Sequence, residues 1–182
     1  MPLYTRRGDT GATSLADGTR VSKASPRMDA CGAVDEANCA VGFALAAIED
    51  ELLAAWFGFL QQRLLNCSAS LADPGGAAPA PSASDVTALE AAIDRFEAVS
   101  GVASGFVLPG GCDAAARIHV ARASVRRAER SVGALAADEP VDPSVLPLLN
   151  RASDFLFAAA RYANAADGVP ETLWDARALP PA

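Results

Sequence analysis

Residues 148–164 read LLNRASDFLFAAARYAN and set Asn150, Asp154 and Arg161 among large apolar side chains. Apolar residues at three-to-four spacing mark a helix, running from roughly Ser144 to Ala166. Asn150 and Asp154 are four apart and share a face. The same pattern extends upstream. A fourth helix spans about Asp113 to Ala136, and Pro140 with the Asp142-Pro143 cap separates it from the fifth. A third is capped by Ser84 and runs to about Val99, with Leu89, Ile93 and Phe96 inward. Leu52 to Leu71 carries Leu53, Trp56, Phe57, Leu60, Leu64 and Leu65 on one stripe. Ser25-Pro26 is an N-cap with Pro at the first helical position, opening a helix to about Glu49. Between these lie loops at 73–84, rich in Pro, Gly and Ser, and at 101–111, GVASGFVLPGG. The expected fold is all-α, a five-helix bundle in the up-and-down, ferritin-like style, forming one domain over 26–182.

Residues 1–25 differ: they are polar, Gly-containing and non-periodic. A stretch of that kind in a compact domain is functional or disordered. The crowding of Gly8, Asp9, Gly11, Thr13 and Ser14 favours a binding loop, with an ordinary turn as the alternative.

Composition narrows the chemistry. The 182 residues are 51% hydrophobic and 20% charged, enough apolar material for a core, which excludes wholesale disorder. A net charge of −7 argues against nucleic-acid binding, which rests on neutralising phosphates. The opening MPLYTRRGDTG lacks the apolar segment of a secretion signal, and no apolar run reaches the ~20 residues of a membrane span. A soluble, cytoplasmic protein is therefore expected, without a membrane partner. Cys31, Cys39, Cys67 and Cys112 have no metal-site spacing, and His119 is the only histidine. One histidine also removes the common Ser-His-Asp and Cys-His hydrolase schemes. Between Ile118 and Val120, His119 reads as a packed, hydrogen-bonded group.

Two segments suit an anion. In YTRRGDTGATSL the glycines let backbone N–H groups approach a phosphate and the hydroxyls add donors, although no Walker-type GxxxxGK[ST] occurs. Lys23, the only lysine, follows shortly after. In the fourth helix, RIHVARASVRRAER places Arg122, Arg126 and Arg130 four apart on one face, with Glu129 three beyond Arg126. Like charges so spaced repel unless acids or an anionic ligand compensate them.

Taken in order, these segments resemble the PduO-type ATP:cob(I)alamin adenosyltransferases. The resemblance rests on the Thr5–Leu15 loop, Arg20–Lys23 (RVSK), Ala30–Asn38 (ACGAVDEAN), Phe106–Gly111 (FVLPGG), Ala121–Arg130 (ARASVRRAER) and Leu149–Asn164. Arg7 and Ala12 stand where that loop often has hydroxyl residues.

The resemblance implies a homotrimer with active sites between subunits. It implies transfer of the 5′-deoxyadenosyl group of ATP to cob(I)alamin, giving adenosylcobalamin and triphosphate with Mg²⁺. Residues 1–25 become an ATP-binding arm: Thr5, Arg6, Arg7, Gly8, Asp9, Gly11, Thr13, Ser14 and Lys23 surround the triphosphate. Arg126 and Arg130 hold it, Glu129 is the Mg²⁺ or network ligand, and Asn150 contacts ATP. Asp35 and Arg122 correspond to an ion pair beside the site, and Phe106 presses under the corrin ring to displace the lower axial ligand. A cobalamin reductase or a downstream B12-dependent enzyme would be a partner. The alternative is a non-catalytic bundle that binds ATP or a corrinoid as a sensor or carrier.

Overall fold

Phe155 lies at the centre of the molecule. In the computed structural model, which describes Tyr4 and residues 6–178, its ring meets Trp56, Phe57 and Phe96 at centroid distances of 6.2, 5.9 and 5.9 Å. The helices are α1 (Pro26–Leu45), α2 (Glu51–Ala72), α3 (Ala83–Ser100), α4 (Asp113–Asp138) and α5 (Val145–Ala166). A small hairpin, β1 (Ala12–Ser14) with β2 (Arg20–Ser22), precedes them. The all-α expectation holds, and no described helix is long and apolar enough to cross a membrane.

α5 is buried on almost every side because its apolar residues run round the helix. It packs on α3 and α4 and touches α2, while α1 bridges α4 and α2. Ala152, Ala158, Ala159, Ala160 and Ala163 keep its surface low, so neighbours approach closely. Pro147 falls in its first turn, where a missing N–H leaves no hydrogen bond unmade.

Paired contacts give the directions. Arg27–Glu139 and Glu36–Arg127 run α1 antiparallel to α4, and Asn150–Glu129 with Asn164–Cys112 do the same for α4 and α5. One end of the bundle therefore carries the hairpin, the start of α1 and the start of α5. The other carries the α3–α4 loop and the end of α5.

Several boundaries differ from the sequence reading. α1 stops at Leu45 rather than near Glu49, because a tight turn through Ala46–Ile48 frees Asp50 to cap α2 by accepting from Leu53 N at 2.7 Å. Ser82, not Ser84, caps α3. It forms a reciprocal capping box with Asp85, which Ser84 has no acid three residues on to match. α4 reaches Asp138. The arm is not without structure, since residues 12–22 form the hairpin, tied to the end of α2 by Ala16 N donating to Ala72 O at 2.9 Å.

Candidate active site

The arm places its functional groups around two tight turns. Asp9 N donates to Arg6 O and Gly11 N to Gly8 O, with Arg6 at φ +62° and Gly11 at φ +82°. Lys23 N then donates to Gly11 O at 2.8 Å, and its side chain folds back over the turn. A Cβ on Gly8 would stand 3.1 Å from Lys23 Nζ, so glycine makes room for the ammonium group. Thr13 pairs with Val21 in the ladder. Arg20, given no role of its own within the RVSK segment, donates to Arg7 O at 3.1 Å and to Ser14 Oγ at 3.4 Å. Arg6, Arg7, Gly8, Asp9, Gly11, Thr13, Ser14 and Lys23 thus lie together in one largely exposed segment, which with Arg20 carries four cations. Thr5 lies outside the described residues.

α4 supplies a second row. Arg126 is exposed, and Arg130 turns back to donate to Arg126 O at 2.9 Å. Glu129 Oε1 accepts from Asn150 Nδ2 at 2.9 Å, joining α4 to α5 beside the arginines. Arg127, on the flank, pairs with Glu36 of α1. Arg122 is half-buried over the face of Phe157, 5.8 Å from its centroid, and its Nε has no partner. Burial and, behind it, the charge of Arg126 lower its pKa from the ordinary arginine value. The guanidinium nevertheless stays charged at neutral pH.

Of two expectations, the ion pair is not formed within this single chain, and the hydrogen-bonded histidine is corrected. Among the described residues no ion pair joins Asp35 to Arg122; Asp35 is exposed on α1, while Arg122 stacks on Phe157. The pair is not made within one subunit. His119 is packed, at 4% exposure, but neither ring nitrogen has a hydrogen-bond partner; its ring lies 6.2 Å from that of Phe157, and Arg122 and Glu171 are the charges that act on it. Burial first, and Arg122 second, push its pKa down.

Phe106 stands at the opposite end, 79% exposed in the α3–α4 loop. α5 fastens both ends of that loop. Asn164 Oδ1 accepts from Cys112 N at 2.9 Å and its Nδ2 donates to Gly110 O at 3.1 Å. Arg161 donates to Gly101 O at 2.6 Å and grips Glu171 through Nε and Nη2 at 2.7 and 3.1 Å. The segment after α5 then runs along the loop: Leu108 N donates to Thr172 O at 2.8 Å, and Trp174 N to Phe106 O at 2.7 Å. Glu171 and Trp174 were missed by sequence reasoning. The available signal was Arg161 itself, since an arginine in the most buried helix must find buried acceptors.

Two cavities flank this end. One of about 390 Å³ lies between the Phe106 loop and the segment after α5. Another, of about 400 Å³ beside the α1–α2 turn, is lined by Glu49, Asp50, Asp113 and Asp167. Its acidic lining repels a triphosphate, so the arm and α4 remain the anion-binding candidates.

Comparison with known proteins agrees with this geometry. A family model described as cobalamin adenosyltransferase matches residues 3–163, stopping short of the Glu171–Trp174 segment. The corrinoid adenosyltransferase PduO of Salmonella typhimurium is 43% identical over 88% of this chain, which spans only 49% of that protein. The corrinoid adenosyltransferase of Bacillus subtilis is 38% identical over 98% of this chain and 95% of its own length. A variant PduO-type ATP:corrinoid adenosyltransferase from Lactobacillus reuteri, solved with cobalamin and ATP, superposes with a TM-score of 0.92 at 35% identity, covering 96% and 97% of the two chains. With the family model matching most of its length, this chain belongs to the PduO-type cobalamin adenosyltransferases.

Proposed function

We propose that the protein transfers the 5′-deoxyadenosyl group of ATP to the cobalt of cob(I)alamin and releases triphosphate. The observation that carries this reading is the layout of α4. Arg126 stands fourteen residues beyond the Cys112 cap, about 21 Å along the axis. One helix thus carries the arginine row at its middle and begins at the loop that bears the exposed Phe106. Relatives named corrinoid adenosyltransferases, and a relative solved with cobalamin and ATP together, support the two substrates.

In the reaction the cobalt(I) electron pair attacks C5′, the cobalt–carbon bond forms, and the C5′–oxygen bond breaks with its pair leaving on triphosphate. No residue need act as nucleophile, which suits a chain with one buried histidine. The protein's work is alignment and stabilisation of charge on the leaving oxygen. Arg126 and Arg130 hold the triphosphate together with Lys23 and the turns of the arm, and Asn150 contacts ATP. Phe106 presses under the corrin ring, where an apolar side chain displaces the lower axial ligand.

Mg²⁺ commonly takes one or two carboxylates plus phosphate oxygens. Among the described residues no cluster of three or more acidic, cysteine or histidine side chains could hold a metal alone, so an ion here rests on phosphate plus Glu129. Asn150 engages Glu129 Oε1, which orients the carboxylate toward such an ion. When bound, Mg²⁺ would neutralise charge on the leaving triphosphate.

The homotrimer with interfacial sites that the resemblance implies is supported by unpaired groups on α1 and α4. The buried Arg122 Nε lacks an acceptor, Asp35 is exposed, and Phe43 and Val120 stand in solvent on the same pair of helices. A neighbouring subunit would supply Asp35 to Arg122. Free thiols at all four cysteines suit a reducing cytoplasm, where a cobalamin reductase would supply Co(I) or a B12-dependent enzyme would accept the product. The test is purified protein with MgATP and chemically reduced cobalamin, followed by absorbance. Conversion to the adenosylcobalamin spectrum is expected; its absence at saturating ATP overturns the reading.

A further inference from the structure

We propose that Arg161 and Glu171 are positioning residues for Phe106, acting through Trp174. Their ion pair fastens the Glu171–Trp174 segment along the loop, and the Trp174 indole braces Phe106 at the corrinoid face. This rests on the reading that Phe106 lies under the corrin ring.

Arg161 is 3% exposed, yet its guanidinium reaches outward from α5 to two different chain segments. It binds Glu171 in a two-pronged pair and also donates to Gly101 O and, at 3.4 Å, to Ser100 O. Buried ion pairs are weak sources of stability, because desolvation offsets their attraction. What this one fixes is relative position: the start of the Phe106 loop and the start of the following segment meet on one side chain.

From Glu171 the chain lays an added strand on the loop, with Val107 opposite Leu173 and two backbone hydrogen bonds flanking them. The second, Trp174 N to Phe106 O, places the two rings edge to face at 6.1 Å and 84°. Both rings remain largely in solvent, Phe106 at 79% and Trp174 at 58% exposure. Neither therefore completes the core of this subunit. Four glycines at 101, 105, 110 and 111 give the loop wide conformational freedom. A ring that must press on a flat macrocycle needs that freedom removed, and the added strand and indole remove it.

The experiment binds cob(II)alamin with MgATP and reads electron paramagnetic resonance for the splitting from a lower axial nitrogen. Wild type, Phe106→Ala, Trp174→Ala, Trp174→Phe and Glu171→Gln are compared, with ATP affinity measured alongside to report an intact fold. Trp174→Ala and Glu171→Gln are expected to lower the ratio of displaced to nitrogen-ligated cobalt about tenfold, with ATP affinity within about twofold of wild type. Trp174→Phe should retain most of the displaced form, and Phe106→Ala should lose it. Should Trp174→Ala and Glu171→Gln keep the wild-type ratio while Phe106→Ala loses it, the segment is only a fold fastening and the proposal falls. Retention in Phe106→Ala itself would overturn the underlying reading, and the brace with it.

Discussion

Arg126 and His119 share a helix and show how exposure decides what a side chain can do. Arg126 is exposed beside the Glu129–Asn150 contact, so its removal leaves the packing untouched. Arg126→Ala should therefore lower turnover roughly 10²–10³-fold with unchanged thermal stability, the loss typical of one preorganised donor to developing charge. Turnover above about half of wild type would remove Arg126 from the triphosphate. His119 is the reverse case, buried without a partner and with a lowered pKa. The unfolded chain binds a proton near pH 6.5 that the folded chain resists. Stability is then complete above that pH and declines as pH falls toward the depressed folded value. Urea midpoints at pH 7 and pH 5 should differ less in His119→Leu than in wild type; equal differences would mean that the imidazole finds an acceptor in the assembled protein.

At the scale of elements, local chemistry was legible where the signal was covalent or close in sequence. Ser25 with Pro26, and the start of α4 at Asp113, stand where the sequence places them. No glycine or proline follows α1 over residues 46–50, and the demand of α2 for its Asp50 cap stops it. Two serines competed for the start of α3, and Asp85 decided for Ser82. Ser82→Ala should cost about 1 kcal/mol of stability by chemical denaturation, with Ser84→Ala near neutral. The hairpin was invisible because its strands are three residues each and are held by their own ladder and one backbone bond from the turn, Ala16 N to Ala72 O, rather than by an apolar alternation. Its turns at Arg6–Gly11 are exposed, and glycine there raises unfolded entropy. Amide exchange at Arg7–Ser14 should slow when MgATP binds. Slow exchange in both states would show an arm already fixed by the scaffold, and fast exchange in both would place ATP elsewhere.

At the scale of the whole molecule, the bundle sets Arg126 about 21 Å along α4 from the cap that follows the Phe106 loop, and the sequence showed both segments without showing their separation. Arg122 and Asp35 were legible as site residues by resemblance, but within this chain they do not meet, and the periodicity of either helix carries no sign of what each one faces. Glu171 and Trp174 were illegible because their partners, Arg161 and Phe106, lie ten residues or more away along the chain. If Asp35 of a neighbouring subunit meets Arg122, the two alanine variants will be non-additive. Each single loss would cost on the order of 3–5 kcal/mol as the remaining charge is stranded. A double-mutant cycle reads the coupling, and strict additivity would separate the two residues. Light scattering should find a trimer, and a fully active monomer would contradict interfacial sites. The most direct test of adenosyl transfer is the phosphorus product. With reduced cobalamin and MgATP, phosphorus NMR should show one triphosphate released for each adenosylcobalamin formed. ADP or pyrophosphate in its place, or bound ATP with neither product, would contradict attack at C5′ and leave a sensor or carrier.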